Sequence, residues 1–480
     1  ELQQAFRDLR NGSFIKAGEA FATDVKVLEV SSKKLLASAS ARGEGVDSIL
    51  LSQIDTLSEA VLEALELMEP PEEAGRQPIA EVTTSSMEAY EHFLKGLDAY
   101  EKLYNSDARL HLERAIDIDP SFAVAHLYLA LTLTRLRETR EQDAELEKAL
   151  ELADHASPRQ RLYIEAAHAR TIEQDSDREF GILRRLATEY PSEKRVHHRL
   201  AGYYRAKGLL YQAIEEYNRV LELDPDYGWA MNELGYMYAD VEDYDKAHEY
   251  FVRYAESSPG SANPVDSMGE LYFRMGRFEE AVGQYRKALE VKPDFYYAYW
   301  ETAYVSALME DYAEALRWIG EFIENAPSFG TRADGLRWCS FYHYWIGDFR
   351  RALDDARKLA DAADEEPSVV WRAEADRMRG WIALASGDHA EARTRFESCL
   401  DAVERSPREF LPYASSYSAG SVEQLSEVKS AYRIGLGMVD VAEGDVEAAR
   451  RRSVEIEPQL PHHAKLLEAE ILITEGRYEK

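Results

Sequence analysis

A chain of 480 residues carrying 57 Lys and Arg against 89 Asp and Glu, a formal net charge of −32, is too long for one ordinary globular core and too acidic to favour a phosphate backbone or an anionic membrane. Charged residues reach 30% while glycine and proline stay modest, which suits a mainly helical repeat array. No apolar run approaches the roughly 18 residues of a membrane span, and the start lacks the basic-then-apolar profile of a signal peptide, so a soluble chain without direct membrane insertion is expected.

Residues 12–41 come first and have their own texture. Phe21, Val25 and Val27 alternate with Asp24 and Lys26, the period of half-buried strands, and Gly18 and the Ser31–Lys34 cluster punctuate a small antiparallel meander. The following "VDSILLSQIDTLSEAVLEALEL" has the 3.6 period of an amphipathic helix. The pattern of Gly12-Ser13-Phe14, Gly18, the alternating run to Leu28 and Leu35-Leu36 resembles the closing half of the TolB-like domain that precedes tetratricopeptide arrays in many bacterial proteins. The resemblance covers about residues 1 to 66 and lacks the usual glycine in the second turn, where Ser31 to Lys34 stand. It implies a bacterial source and a longer parent chain, in which a kinase, nucleotide cyclase or DNA-binding module precedes a cytoplasmic or extracytoplasmic arm. Glu1 in place of Met agrees with an upstream region or processing. The expected organisation is a partial α+β segment at 1–68, an acidic proline-bearing linker at 69–84, and a repeat array at 85–480, with Ser85 capping its first helix.

The array declares itself by number. Ala213, Ala247, Ala281 and Ala315 are 34 apart, as are Pro225, Pro259, Pro293 and Pro327, the period of a helix–turn–helix solenoid. Upstream of these alanines lie Leu200, then Leu234-Gly235 with Tyr238, then Met268-Gly269 with Tyr272 and Gly276. These residues resemble the tetratricopeptide repeat, clearest over 193–327, and the resemblance implies a mainly α, right-handed superhelical solenoid of about nine helix pairs. Spacing stretches to 37 from Ala315 to Ala352 and to 40 from Ala352 to Ala392, which predicts longer helices or inserted loops. The stretch 121–191 is helical by period but departs from the motif, and "SPREFLPYASSYSAGS" at 406–421 interrupts the array with a loop. The last segment, "HHAKLLEAEILITEGRYEK", reads as a first helix whose partner would follow.

Within the array, "DFYYAYWETAY" at 294–304 places six rings in eleven residues. Offsets from the repeat resemblance assign Tyr299 to the core and Tyr297, Trp300 and Tyr304 to the concave groove face of the first helix. The same offsets put Trp229, Asn232 and Tyr236 there from one unit, Asn263, Asp266, Glu270 and Phe273 from the next, and Arg337, Phe341, Tyr344 and Trp345 from the unit after. Rings interleaved with Asp266, Glu270 and Glu301 suit an extended peptide or helix carrying Lys or Arg, through stacking and cation–π contact. The competing explanation is packing between neighbouring repeats. The carboxylate clamp that some members of the family use against chaperone C-termini is largely missing, since its places hold His198, Gly202, Asn232, Tyr236, Asp266 and Glu270.

No phosphate loop, HExxH, Gly-x-Ser-x-Gly or Cys–His zinc spacing is present, so neither catalysis, metal nor cofactor is expected within this chain. Cys339 and Cys399 read as buried structural thiols, and the adjacent His197/His198 and His462/His463 diverge by about 100° on a helix and do not converge on one ion. The cationic run from Arg159 to Arg205 reads as solvated arginines paired with neighbouring acids, the alternative being a docking patch for an acidic partner. The expected function is a protein-interaction scaffold or sensor arm that takes a protein or peptide ligand and no nucleic acid. The alternatives are a solenoid that self-associates head to tail through open ends and the regulatory tail of a larger signalling enzyme.

Overall fold

The computed structural model describes residues 12–17, 20–28, 35–64, 83–410, 422–458 and 460–477. Residues 69–82 of the expected linker at 69–84 and the centre of the 406–421 interruption lie outside them; of the latter, Pro407–Phe410 forms one short helical turn. The chain divides into two compact units, residues 1–132 with 141–168, and residues 133–140 with 169–480.

In the first unit three antiparallel strands, β1 (Gly12–Ala17), β2 (Ala20–Leu28) and β3 (Leu35–Glu44), lie in the order β1-β2-β3. The alternation seen in the sequence sets the buried face of β2: Thr23 and Val27 are buried, and Ala39, Ala41 and Val25 pack with Leu57 of the Ile54–Ala64 helix. Gln53 ties sheet to helix, accepting from Thr23 Oγ1 at 2.7 Å and donating to the Phe21 carbonyl at 3.3 Å. The next helix, Met87–Glu101, is capped by Ser86 and not by Ser85, because the Ser86 hydroxyl accepts from the Ala89 amide at 3.3 Å. Its Gly96 lies on Leu112 of the following helix, Asn105–Ile118, so closely that an added Cβ would fall 2.7 Å from the Leu112 side chain.

The second unit is a tandem of helix pairs, beginning with Lys194–Ala206 and Leu210–Leu223, Gly228–Asp240 and Tyr244–Ser257, Ala262–Arg274 and Phe278–Val291, and Tyr296–Leu308 and Tyr312–Glu324. Two longer pairs follow, Phe329–Trp345 with Phe349–Glu365 and Val369–Ala385 with His389–Arg405. All four are 17-residue helices, so the widened spacing of 37 and 40 is taken up mainly by added helical turns. Val422–Glu443, Val446–Ile456 and Pro461–Thr474 complete the described array. Among the described residues no helix is long and apolar enough to cross a membrane.

One contact explains the period. Each first helix presents a small residue, Ala201, Gly235, Gly269 or Ala303, and each second helix answers 16 positions later with Tyr217, Phe251, Tyr285 or Ile319, every one of them buried. At Gly235 and Gly269 the fit has no slack, since a Cβ would stand 2.5 Å from the Phe251 ring and 2.6 Å from the Tyr285 ring. Small-to-large changes in such a site cost about 1–3 kcal/mol. The alanines at 213, 247, 281 and 315 are fully buried and let the second helices approach in turn.

Between the helices of a pair the chain turns through the left-handed region at another 34-residue series: Gly208 (φ 70°), Glu242 (61°), Gly276 (72°) and Glu310 (61°). After two of these turns, Asp243 and Asp311 cap the second helix, accepting from the amides of Lys246 and Glu314 at 3.3 and 3.1 Å. A non-glycine residue with positive φ is strained, and neither glutamate gains a compensating cap of its own. Glu242→Gly and Glu310→Gly are therefore expected to stabilise the second unit by about 1 kcal/mol each in urea denaturation. Gly276→Ala should lose a similar amount, and a Glu242→Gly variant no more stable than the parent would show that the turn carries no strain.

Candidate functional site

The structure sorts the residues singled out by the sequence into two groups. The first is drawn into bonds between repeats. Asn232 and Asp266, expected on an open groove, are each only 5% exposed. Ser267 Oγ donates to Asn232 Oδ1 at 2.7 Å, and Tyr236 Oη donates to Ser267 Oγ at 3.2 Å, so one hydroxyl stitches two consecutive repeats. Asn263 donates to Tyr254 Oη at 2.9 Å and is buried as well. Tyr297 stacks on Tyr296 at 4.2 Å; Tyr296 is the buried ring of this helix, whereas Tyr299 sits partly buried at the margin, donating to the Pro293 carbonyl at 2.8 Å.

The second group forms one run of rings. Trp300 stacks on Tyr304 at 5.5 Å with planes 7° apart, and both stand edge-on to Trp338 at 5.8 and 5.5 Å. Trp338 passes the contact to Phe341 at 5.7 Å and to Trp345 at 6.3 Å, and Phe273 joins from the other side, 6.0 Å from Tyr304. Trp345 is 43% exposed, whereas Tyr342, beneath the run, is fully buried. Tyr344 turns away to Phe349 at 5.7 Å. Trp338, the hub of the run, was not singled out by the sequence. It lies one residue beyond Arg337, and only packing reveals that its ring joins the two repeats.

Carboxyl groups border the rings in two electrostatic settings. Arg337 donates to Asp334 at 2.5 Å and lies 5.0 Å over the Trp338 ring, with Arg137 3.3 Å from the same carboxylate. Arg377 likewise binds Glu374 at 2.5 Å and covers Phe341 at 5.2 Å, and Tyr432 Oη donates to Glu374 at 3.0 Å. Burial alone would raise both acids, but the adjacent guanidiniums overcome it and hold each below the usual carboxylate range. Asp266 and Glu301 have no such cation. Burial pushes Asp266 up to about 7, and burial together with the Asp266 charge pushes Glu301 up as well. Asp266 Oδ1 and Glu301 Oε2 are buried without hydrogen-bond partners from the described groups. Glu270 differs from both, being partly exposed and bound by Arg274 at 2.9 Å, which also reaches Asp240 at 2.5 Å.

The segment 133–140 also reaches this surface. Arg135 lies 5.0 Å over Trp229, and Ser328 Oγ donates to the Leu136 carbonyl at 2.7 Å. Gly330 permits the approach, because its Cβ would fall 2.9 Å from Arg137 Cβ and 3.0 Å from the Arg137 carbonyl. Sequence period gave no sign of this contact across 192 residues.

The histidine pair and the arginine run resolve locally. His197 donates to Glu216 at 2.7 Å and to the Pro191 carbonyl at 3.1 Å, and the Glu216 bond raises it. His198 is buried against the rings of Tyr217, Tyr227 and Trp229, and that burial pushes it down to about 3. Arg178 pairs with Glu173, Arg185 with Glu189 and Arg205 with Glu233.

A pH test follows from the burial of Asp266. Asp266 is raised in the folded state above its ordinary value near 4, so its contribution is complete at low pH and is lost as pH rises through about 7. Asp266→Asn, which keeps the size and removes the charge, is expected to exceed the parent in stability by about 1–3 kcal/mol at pH 8 and to match it near pH 4. Equal stability of variant and parent at both pH values, by urea denaturation, would show that the Asp266 carboxyl is solvated in the folded state.

Comparison with known proteins agrees with this architecture. Profiles described as TPR repeat and tetratricopeptide repeat match residues 269–309, and residues 194–227, 216–249 and 373–398, respectively. None of these matches supports the TolB-like resemblance of the front piece. The chain is similar to tetratricopeptide repeat protein 37 of Xenopus laevis, 24% identical over 60% of this chain and 18% of that protein. It is also similar to the peroxisomal targeting signal receptor of Eremothecium gossypii, 28% identical over 44% of this chain and 36% of the receptor. The chain thus spans roughly a fifth to a third of the length of these relatives. Solved structures with partial likeness include MamA, 22% identical with a TM-score of 0.28 over 33% of this chain and 93% of MamA. Another is the Pseudomonas aeruginosa pilF protein, 16% identical with a TM-score of 0.34 over 45% of this chain and 94% of pilF. Together with the helix pairs repeating at 34 residues, the profile matches establish that this chain carries tetratricopeptide repeats in an α-helical solenoid.

Proposed function

We propose that the chain is a protein-interaction scaffold that binds a peptide or protein segment along the run of rings from Trp300 to Trp345. The observation that carries this reading is the continuity of the run, five rings in successive contact from two adjacent repeats, ending in the exposed Trp345. Tryptophan and tyrosine supply most of the energy at protein interfaces because a large apolar face loses little rotamer freedom. The net charge of −32 on the chain as a whole favours encounter with a segment carrying Lys or Arg. That one relative is named as a targeting-signal receptor supports recognition of a protein segment at the level of class. Residues 1–68 and the linker at 69–84 serve, on this reading, to attach the array to whatever it reports to, and no step of chemistry is assigned to the chain.

A second reading, association between solenoids, is favoured by Val454, Leu466 and Ile473, which are 69%, 65% and 50% exposed on the last described helices. Sedimentation at rising concentration separates the two, since growth of the sedimenting species supports association and a constant value excludes it.

Binding to arrayed peptides rich in Lys and aromatic residues, beside matched peptides rich in Asp and Glu, tests the first reading. Trp345→Ala, at an exposed position, should leave the helical spectrum intact and weaken capture by about 10- to 100-fold, with a further loss on raising salt. Capture that survives in both Trp345→Ala and Phe341→Ala would place the binding surface elsewhere.

A further inference from the structure

The two long helices Phe329–Trp345 and Phe349–Glu365 bring together three side chains that the ring run does not use. Cys339 and His343 stand four residues apart, one above the other on a single helix face, and Asp355 meets them from the facing helix. His343 Nδ1 is 2.7 Å from Asp355 Oδ2, Cys339 Sγ is 3.4 Å from that same oxygen, and Sγ to Nδ1 is 4.0 Å. Lys358 occupies the other carboxylate oxygen at 2.8 Å, which leaves Oδ2 directed at the sulfur and the ring nitrogen. We propose that Cys339, His343 and Asp355 form a binding site for a divalent transition-metal ion of the zinc class, cross-linking the two helices of this repeat.

The geometry fits the ion closely. Bonds of about 2.3 Å to sulfur and about 2.0 Å to nitrogen and oxygen give tetrahedral edges of roughly 3.3–3.6 Å. The observed separations surround that range, so an ion at the centre would open the His–Asp edge and close the Cys–His edge by about half an ångström each. Thiolate and imidazole select zinc and its neighbours over magnesium and calcium, which take oxygen ligands, and zinc also accepts the carboxylate. Three protein ligands leave a fourth position for water. Asp355 is 5% exposed, Cys339 and His343 are partly exposed, and the Lys358 side chain is 65% exposed, so the cluster lies under the surface with a route in from solvent.

The same three residue types could make a nucleophilic thiol, but the arrangement opposes it. The sulfur lies nearer the carboxylate than the imidazole, and burial with the Asp355 charge pushes the thiol up to about 12, away from a thiolate. A bound cation reverses that penalty, since metal binding releases the thiol proton to solvent and leaves a coordinated sulfur anion. The sequence contained the signal as Cys-x-x-x-His, but the third ligand lies 12 residues beyond His343 on another helix, a spacing outside the familiar zinc patterns.

The test uses the full chain, stripped with a chelator and titrated with Co²⁺ and then Zn²⁺. One Co²⁺ per chain is expected, with a sulfur-to-cobalt charge-transfer band in the ultraviolet that Zn²⁺ abolishes on displacement. Thermal denaturation should shift upward on metal addition and return with chelator. Cys339→Ser should remove the band and weaken Zn²⁺ binding by about 100-fold, and His343→Gln should weaken it by at least about 10-fold, whereas Cys399→Ser should change neither. The His92 and His111 rings, 3.1 Å apart at Nδ1, can bind an ion without sulfur and therefore cannot produce the band. Circular dichroism checks that each variant is folded, and His343→Gln serves alone if Cys339→Ser is not. Absence of a sulfur band in the parent chain, or a band that persists in Cys339→Ser or unaltered in His343→Gln, overturns the proposal.

Discussion

A small residue on one helix facing a ring or a branched side chain on the next is the contact on which this molecule depends. Gly235 under Phe251 and Gly269 under Tyr285 bring paired helices so close that an added Cβ would meet the ring, alanine serves at the equivalent positions 201 and 303, and the repetition of that contact every 34 residues is what makes the array regular. Where the period widens, at 352 and 392, the rule survives in altered form. Gly380 and Gly435 both close on the ring of Phe396, which thereby joins two successive first helices to one second helix. Solenoids of this kind hold each unit only through its neighbours, so the apolar energy of the second unit is spread evenly along its length.

The charged groups beside the ring run show how local partners set ionisation. Asp334 and Glu374 are buried beside Arg337 and Arg377 and remain ionised, the guanidiniums at once neutralising the acids and covering the rings of Trp338 and Phe341. Asp266 and Glu301, in the two preceding repeats, are instead raised by burial and by each other. The surface along the rings is thus nearer to neutral than the net charge of −32 suggests, and much of its polar capacity is already spent on ties between repeats. The segment 133–140 adds to this by placing Arg135 on Trp229 and Arg137 on Asp334.

The offsets of the repeat pattern group Asn232, Asp266 and Trp345 together but carry no information on which of them is open: Asn232 and Asp266 are buried, and Trp345 is half open. Trp338 escaped notice for the complementary reason. Its importance comes from rings on the preceding repeat, and nothing in its own helix marks it.

By itself the sequence determined the helical class, the 34-residue period, the buried small-residue series and the strand alternation of the front piece, because each follows from contacts made within one repeat or between adjacent strands. The capping serine was displaced by one position, since both Ser85 and Ser86 satisfy the local rule and only the backbone decides which hydroxyl reaches Ala89. Tertiary structure alone decided the raised carboxyls of Asp266 and Glu301, the approach of Leu136 to Ser328, and the convergence of Cys339, His343 and Asp355. Each of those depends on where a second helix, 12 to 192 residues away, places an atom to within an ångström. Periodicity fixes a residue's face and leaves that distance free.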